Sequence, residues 1–214
     1  MPVVRSPDRY PLAREELKQL EPPFLLRHYD ATPTDYENLT DEDLKCEYVD
    51  GELIVHSPAT FKHENLTAFV LALLREYVAR HALGYVLGSN AVMQLGERRF
   101  SPDVSVLKNE HAGRVREGRV YGPMDLVVEV LSVSTRDYDQ RTKVPAFREG
   151  HVPEIWLIDP DRRQFEVHAL HGENYIVQTL TTGRWASPAL PGFSLDVDWL
   201  WRDPLPAVAD CRVS

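Results

Sequence analysis

Asp103, in the segment FSPDVSVL (100–107), and Glu129, in DLVVEVLS (125–132), stand 26 positions apart in two apolar runs that read as neighbouring strands. A carboxylate in such a run must be compensated, because burying an unpaired charge is costly enough to force protonation. Two of them could hold a hard divalent cation, magnesium or manganese, which takes oxygen ligands and keeps several waters. The carbonyl of Val130 would add a third oxygen, and Glu47 could complete the shell. Lys143, on the next expected helix, would orient or deprotonate an attacking water or offset charge in a pentavalent transition state. The chemistry these residues suit is metal-dependent hydrolysis of a phosphodiester.

Each residue also has a plainer role open to it. Asp103 after Pro102 could end a turn or cap, and Glu129 could form a buried ion pair with an arginine. Lys143 lies four residues after Asp139, the spacing of an ordinary helix-face salt bridge. Glu47 is a surface acid by default. His63, near the start of a helix, is either a capping or solvated residue or a substrate contact. Arg136 belongs to the arginine groups (98–99, 114–119, 136–148) that bracket the acidic strands. Those groups are equally a phosphate-binding rim or solvated faces.

The positioning elements follow from periodicity and turn chemistry. Residues 1–35, rich in proline and charge, read as an extended arm with a short helix at 12–20. Thr40-Asp-Glu-Asp43 reads as a helix start, and CEYVDGELIVHSP (46–58) as a hairpin turning at Asp50-Gly51. Residues 62–82 repeat Leu66, Phe69, Val70, Leu73, Leu74, Tyr77 and Val78 at helical spacing, with Gly84 as the stop. Strands are expected over 84–95, 100–107 and 124–132, the last apolar on both faces as a central strand is. Residues 108–122 read as an arginine-rich loop. Ser134-Thr-Arg-Asp137 matches a capping box opening a helix to Glu149, with Pro145 either kinking it or starting a second helix. Further strands are expected at 153–159, 164–170, 174–180 and 189–201. This order predicts an α/β (α+β) domain over 36–202 with a mixed β-sheet flanked by helices, and a tail at 203–214.

At 214 residues the chain suits one domain with extensions. Cys46 and Cys211 lie far apart without metal-ligand spacing, which speaks against a disulfide framework or a zinc site. A reducing cytoplasm is the simpler expectation. No stretch nears the ~20 apolar residues of a membrane span. A net charge of −9 argues against broad, non-specific nucleic-acid binding, though not against a local site.

The sequence Glu47, Asp50-Gly51-Glu52, His63, Pro102-Asp103, Val128-Glu129-Val130-Leu131-Ser132, Ser134-Thr135-Arg136, Tyr138-Asp139, Lys143 and Val152 through Pro160 resembles a known family. It is the bacterial putative-restriction-endonuclease (Uma-type) family, a branch of the PD-(D/E)XK nucleases, and the likeness spans roughly residues 35–200. The resemblance implies a restriction-endonuclease-like core and a magnesium-dependent site with Asp103 as first acid and Glu129 as second. It implies DNA as substrate, and homodimers would be the simplest way to cut both strands. The superfamily's strand lysine is absent, Leu131 standing in its place, and the branch supplies it from the following helix at Lys143. Val133 replaces a usual proline, and Pro145 is unusual there. A non-catalytic nuclease-like module that binds nucleic acid or regulates is the alternative, and an ion-pair-stabilised structural domain a third possibility.

Overall fold

The computed structural model describes residues 20–39 and 45–212. In chain order these form β1 (Leu25–His28), α1 (Pro33–Leu39), β2 (Cys46–Val49), β3 (Glu52–His56), α2 (Phe61–Arg80), β4 (Gly84–Gly88), β5 (Met93–Leu95) and β6 (Arg98–Phe100). Then come β7 (Val104–Lys108), β8 (Val115–Arg116), β9 (Arg119–Tyr121) and β10 (Leu126–Val130). Helix α3 follows in three parts: Arg136–Tyr138, a π turn at Asp139–Lys143, and Val144–Glu149. The chain closes with β11 (Glu154–Asp159), β12 (Gln164–His171), β13 (Asn174–Leu180), β14 (Arg184–Ala186) and β15 (Ser194–Asp196).

The central sheet has the order β13-β12-β11-β10-β7-β4. It is mixed: β10 runs parallel to β11 and antiparallel to β7. The alternation of β10 assigns its faces. Leu126, Val128 and Val130 pack with the apolar stripe of α2, while Val127 and Leu131 pack with Val144 and Phe147 of α3 and with Ile54 of β3. Glu129 shares its parity with Val127 and Leu131, so its side chain belongs to the α3 side. A second sheet, β1-β3-β2-β6-β5-β9-β8, lies on that side and brings Met93 and Phe100 into the same core. This is the expected mixed sheet flanked by helices, with an additional sheet sharing one flank.

Several local expectations are revised. The run 100–107 is two strands in different sheets, because Pro102 has no N–H to continue a ladder. Asp103 therefore sits where the chain crosses between the sheets, immediately before β7. Gly84 does not stop α2: the helix ends at Arg80, Ala82 takes the positive φ (50°), and Gly84 opens β4. A Cβ there would lie 2.1 Å from the Leu107 carbonyl oxygen, so only glycine allows β4 to approach β7 so closely. The capping box is shifted by two residues. Ser132 and Thr135 exchange side-chain-to-backbone hydrogen bonds at 3.2 and 3.3 Å, and the Arg136 N–H reaches the Ser132 carbonyl.

Of the two outcomes expected for Pro145, the structure shows the second, a new helical segment with the proline in its first turn. The Val144 N–H bonds to the Asp139 carbonyl, five residues back, and Pro145 sits in the first turn of the segment that follows. A widened turn there suits a proline ring, which in a regular α-helix crowds the carbonyl four residues back. The expected loop at 108–122 contributes β8 and β9 to the second sheet, and 189–201 holds β15 and a 3-10 turn. From the expected arm, β1 pairs with β3; from the expected tail, Val208 and Cys211 pack against the α2 core. The helix expected at 12–20 falls almost wholly outside the described residues, as does the helix start at 40–43.

Glu154 anchors the end of β11 opposite the one beside Glu129. Buried at the start of β11, it accepts hydrogen bonds from the Trp156 and Trp185 indoles, the Ser187 hydroxyl and the Ala189 N–H. Glu154→Ala is expected to cost roughly 3 kcal/mol, since it leaves buried donors unsatisfied. Urea unfolding monitored by tryptophan fluorescence measures this.

Candidate functional site

Three elements bring charge to the C-terminal end of β10. Glu129 comes from β10 itself, Lys143 and Asp139 from the π turn of α3, and Glu47 from β2. The Lys143 ammonium lies 2.5 Å from Glu129 Oε1, 3.2 Å from Glu47 Oε1 and 3.7 Å from Asp139 Oδ1. Lys143 is only 1% exposed, which makes it one of the largest fully buried side chains of the fold. Burial alone would lower its proton affinity, but Glu129, Glu47 and Asp139 outweigh that and hold it well above the usual lysine range. The partner of Glu129 is thus a lysine and not an arginine.

Asp103 reaches the same place from the sheet crossover. Its Oδ2 accepts the Val130 N–H at 2.9 Å and lies 3.1 Å from His63 Nε2 of α2, while its Oδ1 pairs with Lys45 Nζ at 2.8 Å. Burial pushes the Asp103 carboxyl up, but Lys45 and the His63 hydrogen bond more than reverse this and hold it well below the carboxylate range. For His63, burial lowers the pKa, and the bond to Asp103 overcomes it to give a net rise.

Asp103, Glu129, Asp139, Lys143, Lys45 and His63 line one cavity of about 1080 Å³, together with the 132–135 turn. Glu47 stands behind its wall. One Glu47 oxygen accepts the Ser101 N–H and meets Lys143, and the other pairs with His56 Nε2 at 3.0 Å. With both oxygens engaged, Glu47 holds Lys143 in place and does not border the cavity. Arg136 is likewise outside the lining. It makes a two-point pair with Asp159 at 2.8 and 3.1 Å, which fastens the start of α3 to the end of β11. No bracketing arginine is among the residues lining this cavity; Arg98 pairs with Asp50 and Glu149, and Arg99 and Arg119 both grip Glu37.

Two members of the cluster carried no functional assignment from the sequence. Lys45 could have been found from its spacing, since it precedes Glu47 by two and so shares its side of the chain entering β2. Asp139 was visible only as a helix-face partner of Lys143. The π turn and the packing of α3 make it a buried member of the site.

The donor set suits a divalent cation. Among the described residues, the carboxyl groups of Glu47, Asp103, Glu129 and Asp139 gather around two lysines, Lys45 and Lys143. Burial and neighbouring acids act together on Glu129. Burial raises its pKa, Lys143 pulls it down, and Asp103, Asp139 and Glu47 push it up again, for a net position well above the carboxylate range. A divalent ion bound there would add positive charge beside Asp103 and Glu129. Glu129 borders the cavity from β10, and Asp103 from the link that enters the neighbouring β7. Another group of possible donors, Glu110, His111 and Asp125, lies at the opposite end of β7 and β10. There Lys108 already approaches Glu110 and Asp125 at 3.1 and 3.7 Å.

A family model described as Uma2, putative restriction endonuclease, matches residues 33–198. No curated protein matches the chain. A crystal structure of a putative nuclease belonging to DUF820 from Anabaena variabilis shares the fold, with a TM-score of 0.68 and 18% identity over 79% of this chain and 97% of that chain.

The Arg136–Asp159 pair yields a pH-dependent expectation. Burial raises the Asp159 carboxyl, but the Arg136 hydrogen bonds bring it below its ordinary 3.8. The pair therefore stabilises the fold fully above that value and progressively less as pH falls through the depressed one. Arg136→Met should lower stability by about 2 kcal/mol at pH 7, with the difference fading below about pH 4. Thermal melts across pH test it.

Proposed function

The chain belongs to the Uma2 family of putative restriction endonucleases, and on that premise we propose that it is a magnesium- or manganese-dependent endonuclease that hydrolyses phosphodiester bonds in DNA. The observation that carries the proposal is a cavity floored by Asp103, Glu129 and a fully buried Lys143, in which carboxylates outnumber cations. Asp103 and Glu129 would hold the metal, with the Val130 carbonyl as a further oxygen. The bound ion would supply positive charge for the phosphoryl oxygens as the bond breaks.

The remaining roles belong to the protein's own groups. Lys143, oriented by Glu47 and Asp139, fixes the Glu129 carboxylate and presents charge at the cavity floor. His63 holds Asp103 from the α2 side and is near enough to the cavity to meet substrate. Arg136 positions the 132–136 turn through Asp159, and its contribution to substrate binding is indirect. A homodimer in the cytoplasm is the simplest setting for cutting both strands of a duplex.

A non-catalytic, nucleic-acid-binding or regulatory role is favoured by a different observation: Lys143 is enclosed by its own carboxylates, and arginines 98, 99, 119 and 136 are all spent on internal ion pairs. Supercoiled plasmid incubated with manganese separates the two. The parent protein should nick it, and Glu129→Gln and Lys143→Met should each reduce the rate at least ~100-fold. Nicking that survives both changes would point to a contaminant, and no nicking by the parent would favour the non-catalytic role. Manganese should also raise the parent's melting temperature, and Asp103→Ala should abolish that rise.

A further inference from the structure

The two lysines of the site are not equivalent. Lys143 is enclosed by Glu129, Glu47 and Asp139 and is almost wholly buried. Lys45 has a single ion-pair partner among the described residues, Asp103 Oδ1 at 2.8 Å, and about a quarter of its side chain (26%) reaches solvent. The two Asp103 oxygens differ in the same way. Oδ2 is tied to the Val130 N–H and faces His63, whereas Oδ1 meets Lys45 and no other partner among the described residues.

Building on the metal-dependent reading above, we infer that Lys45 is the exchangeable cation of this site: it occupies Asp103 Oδ1 until a divalent ion displaces it, and then turns to a phosphate of the substrate. A metal coordinated by Asp103 must take a lone pair on Oδ1, because Oδ2 is already engaged. The ammonium and the ion cannot share that oxygen at close range without strong repulsion. Lys45 can give way where Lys143 cannot, because its four-carbon stem is flexible and already partly solvated. Both lysines line the cavity, so the released ammonium remains beside any phosphate entering it. An anionic backbone arriving there replaces the carboxylate that Lys45 gave up. Asp103 and Lys45 thus exchange partners, and neither is left buried and unpaired.

The test is calorimetric titration of the metal-free full chain with manganese, comparing the parent with Lys45→Met, Lys45→Gln and Lys62→Met. Lys62 is a control that borders the same cavity but pairs with Asp161 near its rim. The Lys45 variants should bind manganese roughly tenfold more tightly, because one charge-assisted hydrogen bond no longer competes. Lys62→Met should match the parent. A merely structural role for Lys45 would leave manganese affinity unchanged or weaken it, and that result overturns the inference while leaving the metal reading intact. If none of the proteins binds manganese, the metal reading itself falls and the exchange with it. Manganese binding by the Lys45 variants but not by the parent supports displacement in its strongest form. For the second half, a short DNA duplex is titrated in calcium at several salt concentrations. The log–log salt slope should shrink by about 1 in Lys45→Met, and an unchanged slope overturns the phosphate contact.

Discussion

A buried ammonium among carboxylates is the constraint around which this fold is arranged. Lys143 cannot stand at the floor of the cavity unless Glu129, Glu47 and Asp139 are all within reach, since an uncompensated charge at that depth would be neutralised or expelled. Satisfying it requires a central strand, a hairpin from the second sheet and a helix to meet at one point. The π turn helps to place both Asp139 and Lys143 on the inner side of α3. The Ser132–Thr135 cap and the Arg136–Asp159 pair then fix where that helix begins. Such an arrangement costs more desolvation than apolar packing of the same volume would, so its retention points to function more than to stability.

The sheet crossover is the second determinant. Pro102 ends one ladder and lets the chain enter the next, and this places Asp103 at a seam, outside a continuous strand. A carboxylate in a strand interior would face a packed layer. At the seam it can accept a backbone N–H from β10, meet a histidine from α2, and still turn one oxygen to the cavity. Ser101 contributes from the same three-residue link by donating its N–H to Glu47, so one short segment braces both the acid at the cavity and the acid behind it.

Charge is distributed in two shells. Away from the cavity, arginines and acids pair with one another and tie hairpins, helices and loops together; Glu37 joins α1 to β6 and β9 through Arg99 and Arg119. Around the cavity, carboxyl groups outnumber lysines. A protein with a net charge of −9 has little general attraction for a polyanion, so any polyanion held at this cavity would depend on a few local cations.

Three of the groups that meet at the cavity were legible in the chain itself. Asp103, Glu129 and Lys143 stand out because acids in apolar runs need compensation, and the long helix, the Asp50-Gly51 hairpin and the central strand follow from periodicity and turn chemistry that act locally. What the chain could not disclose was each group's partner. Whether Glu47 borders the cavity or stands behind it, whether Arg136 faces substrate or Asp159, and that Lys45 sits on Asp103, all depend on contacts between residues far apart in sequence. The division of 100–107 between two sheets and the widened turn before Pro145 were hidden for the same reason. Local rules say where a strand or helix must be interrupted, but only the packing of the whole chain decides how the interruption is resolved.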